Sequence, residues 1–133
     1  MKLKIWVLAA ALTALSSAVP AAEAVAPAAK AGQTVFKKCM ACHSAIDAKN
    51  KVGPSLMGIV GRKVGSIAGY KYSPALVAFA APAKVWDEAT LTAYLANPKA
   101  VIPKGKMAFA GLKKPEDVAA VIAYLKNPAA VAP

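Results

Sequence analysis

The stretch KKCMACHSA, residues 37 to 45, contains both cysteines and the only histidine of this 133-residue chain. Its centre, CMACH, has the Cys-x-x-Cys-His spacing in which two thiols add to the vinyl groups of a c-type haem and the adjacent imidazole binds the iron. We therefore expect one covalently attached haem, with Cys39 and Cys42 as its anchors and His43 as one axial ligand. A second axial ligand must then come from elsewhere in the chain.

Other uses of the two cysteines agree less well with the pattern. A disulfide between Cys39 and Cys42 would close a very small loop, which gives the least stabilisation, and it would leave His43 without a role. A structural zinc site needs about four protein ligands, and this chain offers too few cysteines and histidines. A thioredoxin-like redox pair belongs to a βαβ frame, which the sequence does not predict. The disulfide and the redox pair remain the alternatives to haem.

The N-terminal 24 residues have the organisation of a secretory signal. Two lysines, Lys2 and Lys4, precede an apolar run over residues 5 to 15, and the small-residue end Ala22-Glu23-Ala24 follows. The apolar run is shorter than the about 20 residues of a membrane span, so an uncleaved anchor is the weaker interpretation. We expect cleavage after Ala24, residues 1 to 24 as the signal peptide, and a periplasmic domain of residues 25 to 133.

The chain carries a formal charge of +11, and nearly all of it stays with residues 25 to 133. A small domain with this charge should associate with acidic partners. The lysines are dispersed and no nucleic-acid-binding motif is present, so a nucleic acid is not an expected partner. We expect a single monomeric domain.

The sequence after the leader predicts helices and loops rather than strands. The strongest signals lie in KPEDVAAVIAYLKNP, where a proline and two acids open a helix and residues 118, 121, 122 and 125 form one apolar face before Asn127. We also predict helices over residues 31 to 41, 73 to 79 and 87 to 96. The glycine-rich segment 53 to 75 is predicted as an ordered loop, and residues 25 to 30 and 127 to 133 as loose ends.

The second ligand should be a methionine, because the chain has no second histidine. Met1 belongs to the leader, and Met40 lies inside the attachment motif on the side of His43. Met107 lies in NPKAVIPKGKMAFAG, a loop between helices that could cross to the far face of the haem. Met57 follows the motif closely among apolar neighbours, which suggests ordinary packing. Met107 is the expected ligand and Met57 the alternative.

With these residues in place, the chain resembles the class I cytochromes c of the soluble bacterial c2 and mitochondrial type. The matching blocks, in the family's order, are GQTVFKKCMACH, VGPSLMGIVGRKVG, GYKYS, LTAYLANPKAVIPKGKMAFAGLKK and VIAYLK. The resemblance implies an all-α fold in which helices and ordered loops wrap around one covalently bound haem c. It implies that the first and last helices cross, with Gly32 and Phe36 meeting Val121 and Tyr124.

The resemblance also implies roles for the residues around the haem. Cys39 and Cys42 would form the thioethers, with His43 as the proximal and Met107 as the distal ligand. The carbonyl of Pro54 would accept a hydrogen bond from the other ring nitrogen of His43, which fixes its tautomer. Further contributors would be Tyr94, close to the Met107 sulfur, and a set around a haem propionate: Arg62, Tyr72 and Trp86.

The sequence differs from the mitochondrial pattern at one position and in one segment. Gly105 stands where that pattern has a threonine that donates a hydrogen bond to a propionate. The segment between Tyr72 and Trp86 is longer here, and an asparagine expected near Leu76 is absent.

The implied function is that of a soluble periplasmic electron carrier and not of an enzyme, because both axial positions of the iron would be filled. The implied donor is a membrane quinol:cytochrome c oxidoreductase, and the acceptor a terminal oxidase of a respiratory chain or a photosynthetic reaction centre. A docking rim is implied around the exposed haem edge, formed by Lys38, Lys51, Lys99, Lys106, Lys113 and Phe109. The alternative is a haem-based sensor or a peroxidase-like haem enzyme with an open iron position.

Overall fold

The structure, a computed structural model, describes residues 21–131, in which helices are joined by loops and turns. It contains α1 (Ala21–Phe36), α2 (Pro74–Ala80), α3 (Glu88–Ala96), α4 (Pro98–Val101), α5 (Pro115–Lys126) and a terminal 3-10 helix (Pro128–Val131). Between residues 21 and 131 the only β pairing is an isolated bridge from Lys63 to Val85. This confirms the predicted all-α class.

The predicted leader lies almost wholly outside the described residues, so its cleavage stays a prediction. None of the described helices has both the length and the apolar character that a membrane crossing requires.

Helices α1 and α5 cross closely, as predicted. A Cβ atom built on Gly32 would overlap the carbonyl oxygen of Ala120 and lie 2.8 Å from Cβ of Tyr124, so only glycine allows the two backbones to approach this far. The rings of Phe36 and Tyr124 pack beside this contact with their centroids 5.1 Å apart. The apolar face of α5, with Val121 as its most buried member, completes the interface.

Side-chain caps explain why two helices begin where the sequence predicts. The hydroxyl oxygen of Ser73 accepts a hydrogen bond from the Leu76 amide at 3.2 Å at the start of α2. The carboxylate of Asp87 accepts one from the Thr90 amide at 2.7 Å at the start of α3. Both bonds satisfy amides that the helix itself cannot pair.

The prediction for the first helix was wrong at both ends. Residues 25 to 30 belong to α1 rather than to a loose end, because an alanine-rich run favours the helix strongly enough to contain Pro27. Ala29 is buried, so this part of α1 also packs against the rest of the domain. At its other end α1 stops at Phe36, and turns replace the helix predicted up to Ala41.

Two short helices were also missed. The Asn97 side chain accepts a hydrogen bond from the Ala100 amide at 3.2 Å, so Pro98 begins α4 instead of only ending α3. Near the C-terminus, the side-chain amide of Gln33 donates to the carbonyl of Val131 at 2.8 Å. This bond ties the 3-10 turn to α1, so the segment predicted to be loose is ordered as far as residue 131.

Candidate haem site

A cavity of about 430 Å³ lies among these helices and loops, and it has the volume of a typical cofactor pocket. Its lining includes all nine residues that the sequence singled out for cofactor binding: Cys39, Cys42, His43, Pro54, Arg62, Tyr72, Trp86, Tyr94 and Met107. Apolar side chains such as Ile59, Leu91 and Ile102 supply much of the remaining wall. Residues from widely separated parts of the chain therefore meet around one space.

The attachment motif reaches the cavity through a tight set of turns that follows α1. The Cys39 amide donates to the Phe36 carbonyl at 2.7 Å, and the His43 amide donates to the Cys39 carbonyl at 2.9 Å. Both cysteines are free thiols; Cys42 is exposed, and burial raises the pKa of the partly buried Cys39 thiol. Within residues 21–131, no group of three or more His, Cys, Asp or Glu side chains is arranged so that it could hold a metal ion.

His43 is held with one ring nitrogen directed at the backbone. Its Nδ1 lies 2.7 Å from the carbonyl oxygen of Pro54, and because a carbonyl only accepts, Nδ1 carries the proton. Burial lowers the pKa of His43, an effect that the hydrogen bond to Pro54 partly opposes. The ring is therefore neutral at pH 7, and its Nε2 lone pair is free to bind a metal.

Met107 contributes a thioether to the same cavity. The Tyr94 hydroxyl donates to its sulfur at 3.8 Å, and burial raises the pKa of Tyr94, so this donor keeps its proton at neutral pH. Met57 and Met40 do not line the cavity, and their side chains are 46% and 51% exposed. The geometry therefore favours Met107 over Met57 as the second ligand.

Arg62 brings a donor without a partner to this site. Its two terminal nitrogens donate to the carbonyls of Met57 and Ser55 at 2.9 and 2.8 Å. Its Nε is the one buried side-chain nitrogen or oxygen in the described residues that lacks a hydrogen-bond partner. A buried unpaired donor is costly, and the carboxylate of a haem propionate would satisfy it.

The two aromatic residues predicted at the propionate also line the cavity. The Tyr72 hydroxyl accepts from the Ile67 amide at 3.2 Å, which leaves its own proton free for donation. Trp86 is buried between the rings of Phe79 and Tyr94, with centroid distances of 5.9 and 4.9 Å. Trp86 thus combines core packing with a place in the cavity wall.

Taken together, the donor set fits a covalently bound haem. Two thiols and an imidazole share the cavity with a thioether, and the lining also includes Arg62, whose buried Nε has no hydrogen-bond partner. His43, Met107 and the two cysteines are the residues that would hold the group, in an otherwise mostly apolar enclosure.

The structure places most of the predicted docking residues at this cavity or next to it. Lys38, Lys106 and Phe109 line it directly. Lys113 joins Lys38 and Phe109 around a neighbouring cavity of about 250 Å³.

The two other lysines of the predicted rim line neither cavity. The Lys51 ammonium donates to the Met40 carbonyl at 2.8 Å, beside the attachment motif. Lys99 lies in α4.

Several residues of the site were not singled out from the sequence. Tyr70 packs edge-on against Tyr72, with centroids 4.8 Å apart, and its hydroxyl donates to the Val52 carbonyl at 2.8 Å. Lys71 and Gly53 also line the cavity. The alternation of aromatic residues in GYKYS was the available signal for Tyr70, whereas no sequence signal separated Gly53 from an ordinary turn glycine.

Lys104 adopts an unusual backbone conformation in the loop that carries Met107. Its φ of 65° makes it the only non-glycine residue with positive φ within residues 21–131. We expect Lys104→Gly to raise the free energy of unfolding by about 0.5 kcal/mol, because the strain it relieves exceeds the chain entropy that glycine adds. Denaturant unfolding of the haem-loaded protein measures this change.

Lys106→Gly is the matched control, since it removes the same charge from the same loop without relieving a positive φ. It should lower the free energy of unfolding, and equal effects of the two substitutions would contradict the assignment of strain to Lys104.

Comparisons with known proteins show which family and relatives this chain resembles. The family model of cytochrome c matches residues 29–128. Cytochrome c-550 of Ancylobacter novellus is 54% identical over 77 residues, which are 57% of this chain and 72% of that protein. Cytochrome c2 iso-2 of Magnetospirillum fulvum is 60% identical over 72 residues, 54% of this chain and 72% of the relative. The solved structure of cytochrome cH from Methylobacterium extorquens has a TM-score of 0.67 and 44% identity, covering 74% of this chain and 96% of that one.

Proposed function

The chain belongs to the cytochrome c family, and we propose that it shuttles single electrons between membrane redox complexes through a haem whose iron is bound by His43 and Met107. It is a c-type cytochrome with covalently bound haem c, an electron-transfer protein and not an enzyme. We further propose that the protein works in the periplasm and exchanges electrons with membrane complexes.

The observation that carries the ligand assignment is the meeting of the His43 ring and the Met107 side chain in one cavity. Nδ1 of His43 is bonded to the Pro54 carbonyl at 2.7 Å, which leaves Nε2 for the iron. The Met107 sulfur, fixed by the Tyr94 hydroxyl, lies in the wall of the same cavity. Met57 and Met40, the other methionines of the described residues, line no part of it.

This ligand pair suits an electron carrier of high potential. The haem supplies the one-electron chemistry, and the protein sets its ligation, exposure and docking. A neutral imidazole and a soft thioether favour the ferrous state and raise the potential, as does an apolar pocket. With both axial positions filled, no position stays open for oxygen or peroxide.

The same cavity offers a route for the electron to reach a partner. Val52 is 79% exposed, Cys42 is exposed, and both belong to the lining. One edge of the haem would therefore lie close to solvent, where a partner can approach it. The basic residues Lys38 and Lys106 at this lining would attract an acidic partner.

We place the protein in the periplasm, on the basis of the leader sequence and the c2-type relatives. The donor would be a quinol:cytochrome c oxidoreductase, and the acceptor a terminal oxidase or a photosynthetic reaction centre. A haem sensor or peroxidase-like enzyme with an open iron position is disfavoured by the place of Met107 in the cavity wall.

The ferric absorption spectrum of the purified haem-loaded protein tests the proposal. His/Met-ligated ferric haem shows a weak far-red charge-transfer band that a five-coordinate haem lacks. We expect the band to be present, and its absence would overturn the ligand assignment.

The lysines at the cavity lining, Lys38 and Lys106, form the proposed docking surface, and reversing the charge of one of them should slow electron transfer. We expect the rate of electron transfer to an acidic redox protein to fall as salt rises, and Lys38→Glu to slow it about tenfold at low ionic strength, because opposite charges steer the encounter. Stopped-flow kinetics over a salt series measures both effects.

Lys99→Glu is the matched control, since Lys99 lines neither cavity, and it should slow the reaction less. A rate independent of salt, or equal effects at the two positions, would contradict the proposed surface.

A further inference from the structure

Gly53 lies directly against the imidazole ring of His43. A Cβ atom built on this glycine would overlap Cε1 of the ring and lie 2.7 Å from Nδ1 and 2.8 Å from Nε2. Real Cβ contacts are never this short, so no other residue fits here unless the ring or the chain moves. The contact lies along the ring edge formed by Nδ1, Cε1 and Nε2.

The backbone around Gly53 is itself fixed to the attachment motif. The Gly53 amide donates to the Cys42 carbonyl at 2.8 Å, and the Gly53 carbonyl accepts from the Lys51 amide at 2.9 Å. The next carbonyl, that of Pro54, holds Nδ1 of His43 at 2.7 Å. The glycine is therefore pressed against the ring by hydrogen bonds on both of its sides.

We propose that Gly53 is a positioning residue that fixes the orientation of the His43 ring plane, and so tunes the iron ligand through steric contact. The inference rests on the proposed role of His43 as an axial ligand. The hydrogen bond to Pro54 restrains the ring at one atom, but a single hydrogen bond still tolerates some tilting of the ring about its Cβ–Cγ bond. Contact along the Nδ1–Cε1–Nε2 edge limits this tilting, because the ring cannot turn toward a backbone that already touches it.

A methyl group at this position forces one of two changes. Either the ring rotates away, which alters its orientation over the haem, or residues 53 and 54 withdraw and lengthen the bond to Nδ1. The Cys42 carbonyl cannot follow, since that residue would be covalently anchored to the haem. The second change makes the imidazole a weaker donor to ferric iron, so the reduction potential should rise.

Gly53→Ala in the haem-loaded protein tests this inference. We expect a changed pattern of haem methyl proton shifts in the ferric NMR spectrum, because these shifts follow the direction of the imidazole plane. If residues 53 and 54 withdraw instead, we expect faster hydrogen exchange at Nδ1 of His43 and a higher reduction potential. Gly58→Ala is the control: a Cβ there meets nothing within 4 Å, so it adds backbone strain alone and should leave all three measurements unchanged.

A measurement on the native protein keeps the inference testable if the variant does not fold. In the ferrous protein, an Hα proton of Gly53 should show a strong nuclear Overhauser contact to Hε1 of His43. Absence of this contact would overturn the positioning role, as would a folded Gly53→Ala variant with unchanged methyl shifts and exchange. Absence of the far-red band from the native ferric protein would instead overturn the assignment of the iron ligands. Failure of the ligand assignment and failure of the positioning role are therefore distinguishable.

Discussion

Met107→Ala removes the far-red band of the ferric protein and lowers its reduction potential by a substantial part of the about 0.8 V over which axial ligands set haem potentials. The reason is that the thioether stabilises ferrous iron, and the small alanine side chain leaves the position to water or to another ligand. The Tyr94 hydroxyl also loses its acceptor at 3.8 Å. Absorption spectroscopy and a redox titration of the haem-loaded variant measure the two effects.

Met57→Ala is the matched control for this experiment. The side chain at this position is 46% exposed and does not line the cavity, so its removal should leave both the band and the potential unchanged. Loss of the band in Met57→Ala with retention in Met107→Ala would reverse the assignment.

Removal of the covalent haem should have the largest effect on stability. In the double variant Cys39→Ala/Cys42→Ala, we expect haem to be extracted by acidified organic solvent and the haem-free chain to be unfolded. An empty cavity of 430 Å³ at about 24 cal/mol per Å³ costs up to about 10 kcal/mol, an upper bound because this cavity is partly open to water. A domain has about 5–15 kcal/mol of stability in total, so this cost removes most or all of it.

Far-UV circular dichroism with thermal unfolding of the haem-free chain measures this result. Cys42→Ala alone is the control, since the remaining thioether of Cys39 should retain the haem through extraction and preserve the fold. A haem-free double variant that still unfolds cooperatively would show that the surrounding helices are stable without the group they enclose.

Chemistry carried by neighbouring residues could be predicted from the sequence. The CMACH motif holds both cysteines and the histidine within one or two turns of chain, so the haem prediction needed no knowledge of the fold. The bounds of α3 and α5 were likewise local, because Asp87 and Pro115 supply their start signals within the helices' own first turns. The choice of Met107 came from loop composition together with the family resemblance.

Tertiary contacts changed the predictions where local signals were weak. α1 extends over residues 25 to 30, which were predicted to be loose and among which Ala29 is buried, and further along α1 the Gln33 side chain donates to the Val131 carbonyl. Neither feature has a local sequence signature, because the burial of Ala29 depends on how the domain packs and the hydrogen bond of Gln33 joins residues from opposite ends of the domain. Pro98 begins α4 because the Asn97 side chain caps this helix. From the sequence alone, the pair Asn97-Pro98 is equally compatible with a turn that only ends α3.

The sequence by itself determined the cofactor chemistry of this protein, the helical class and the two candidate methionines, since each depends on residue type or on spacing within a few positions. Only the tertiary structure decided that Met107 and not Met57 lies in the wall of the cavity, that Nε of Arg62 is buried without a partner, and that Gly53 touches the His43 ring. These facts depend on distances between residues that are remote in the chain, or on whether there is room for one additional methyl group. Such distances are fixed only when the whole domain packs.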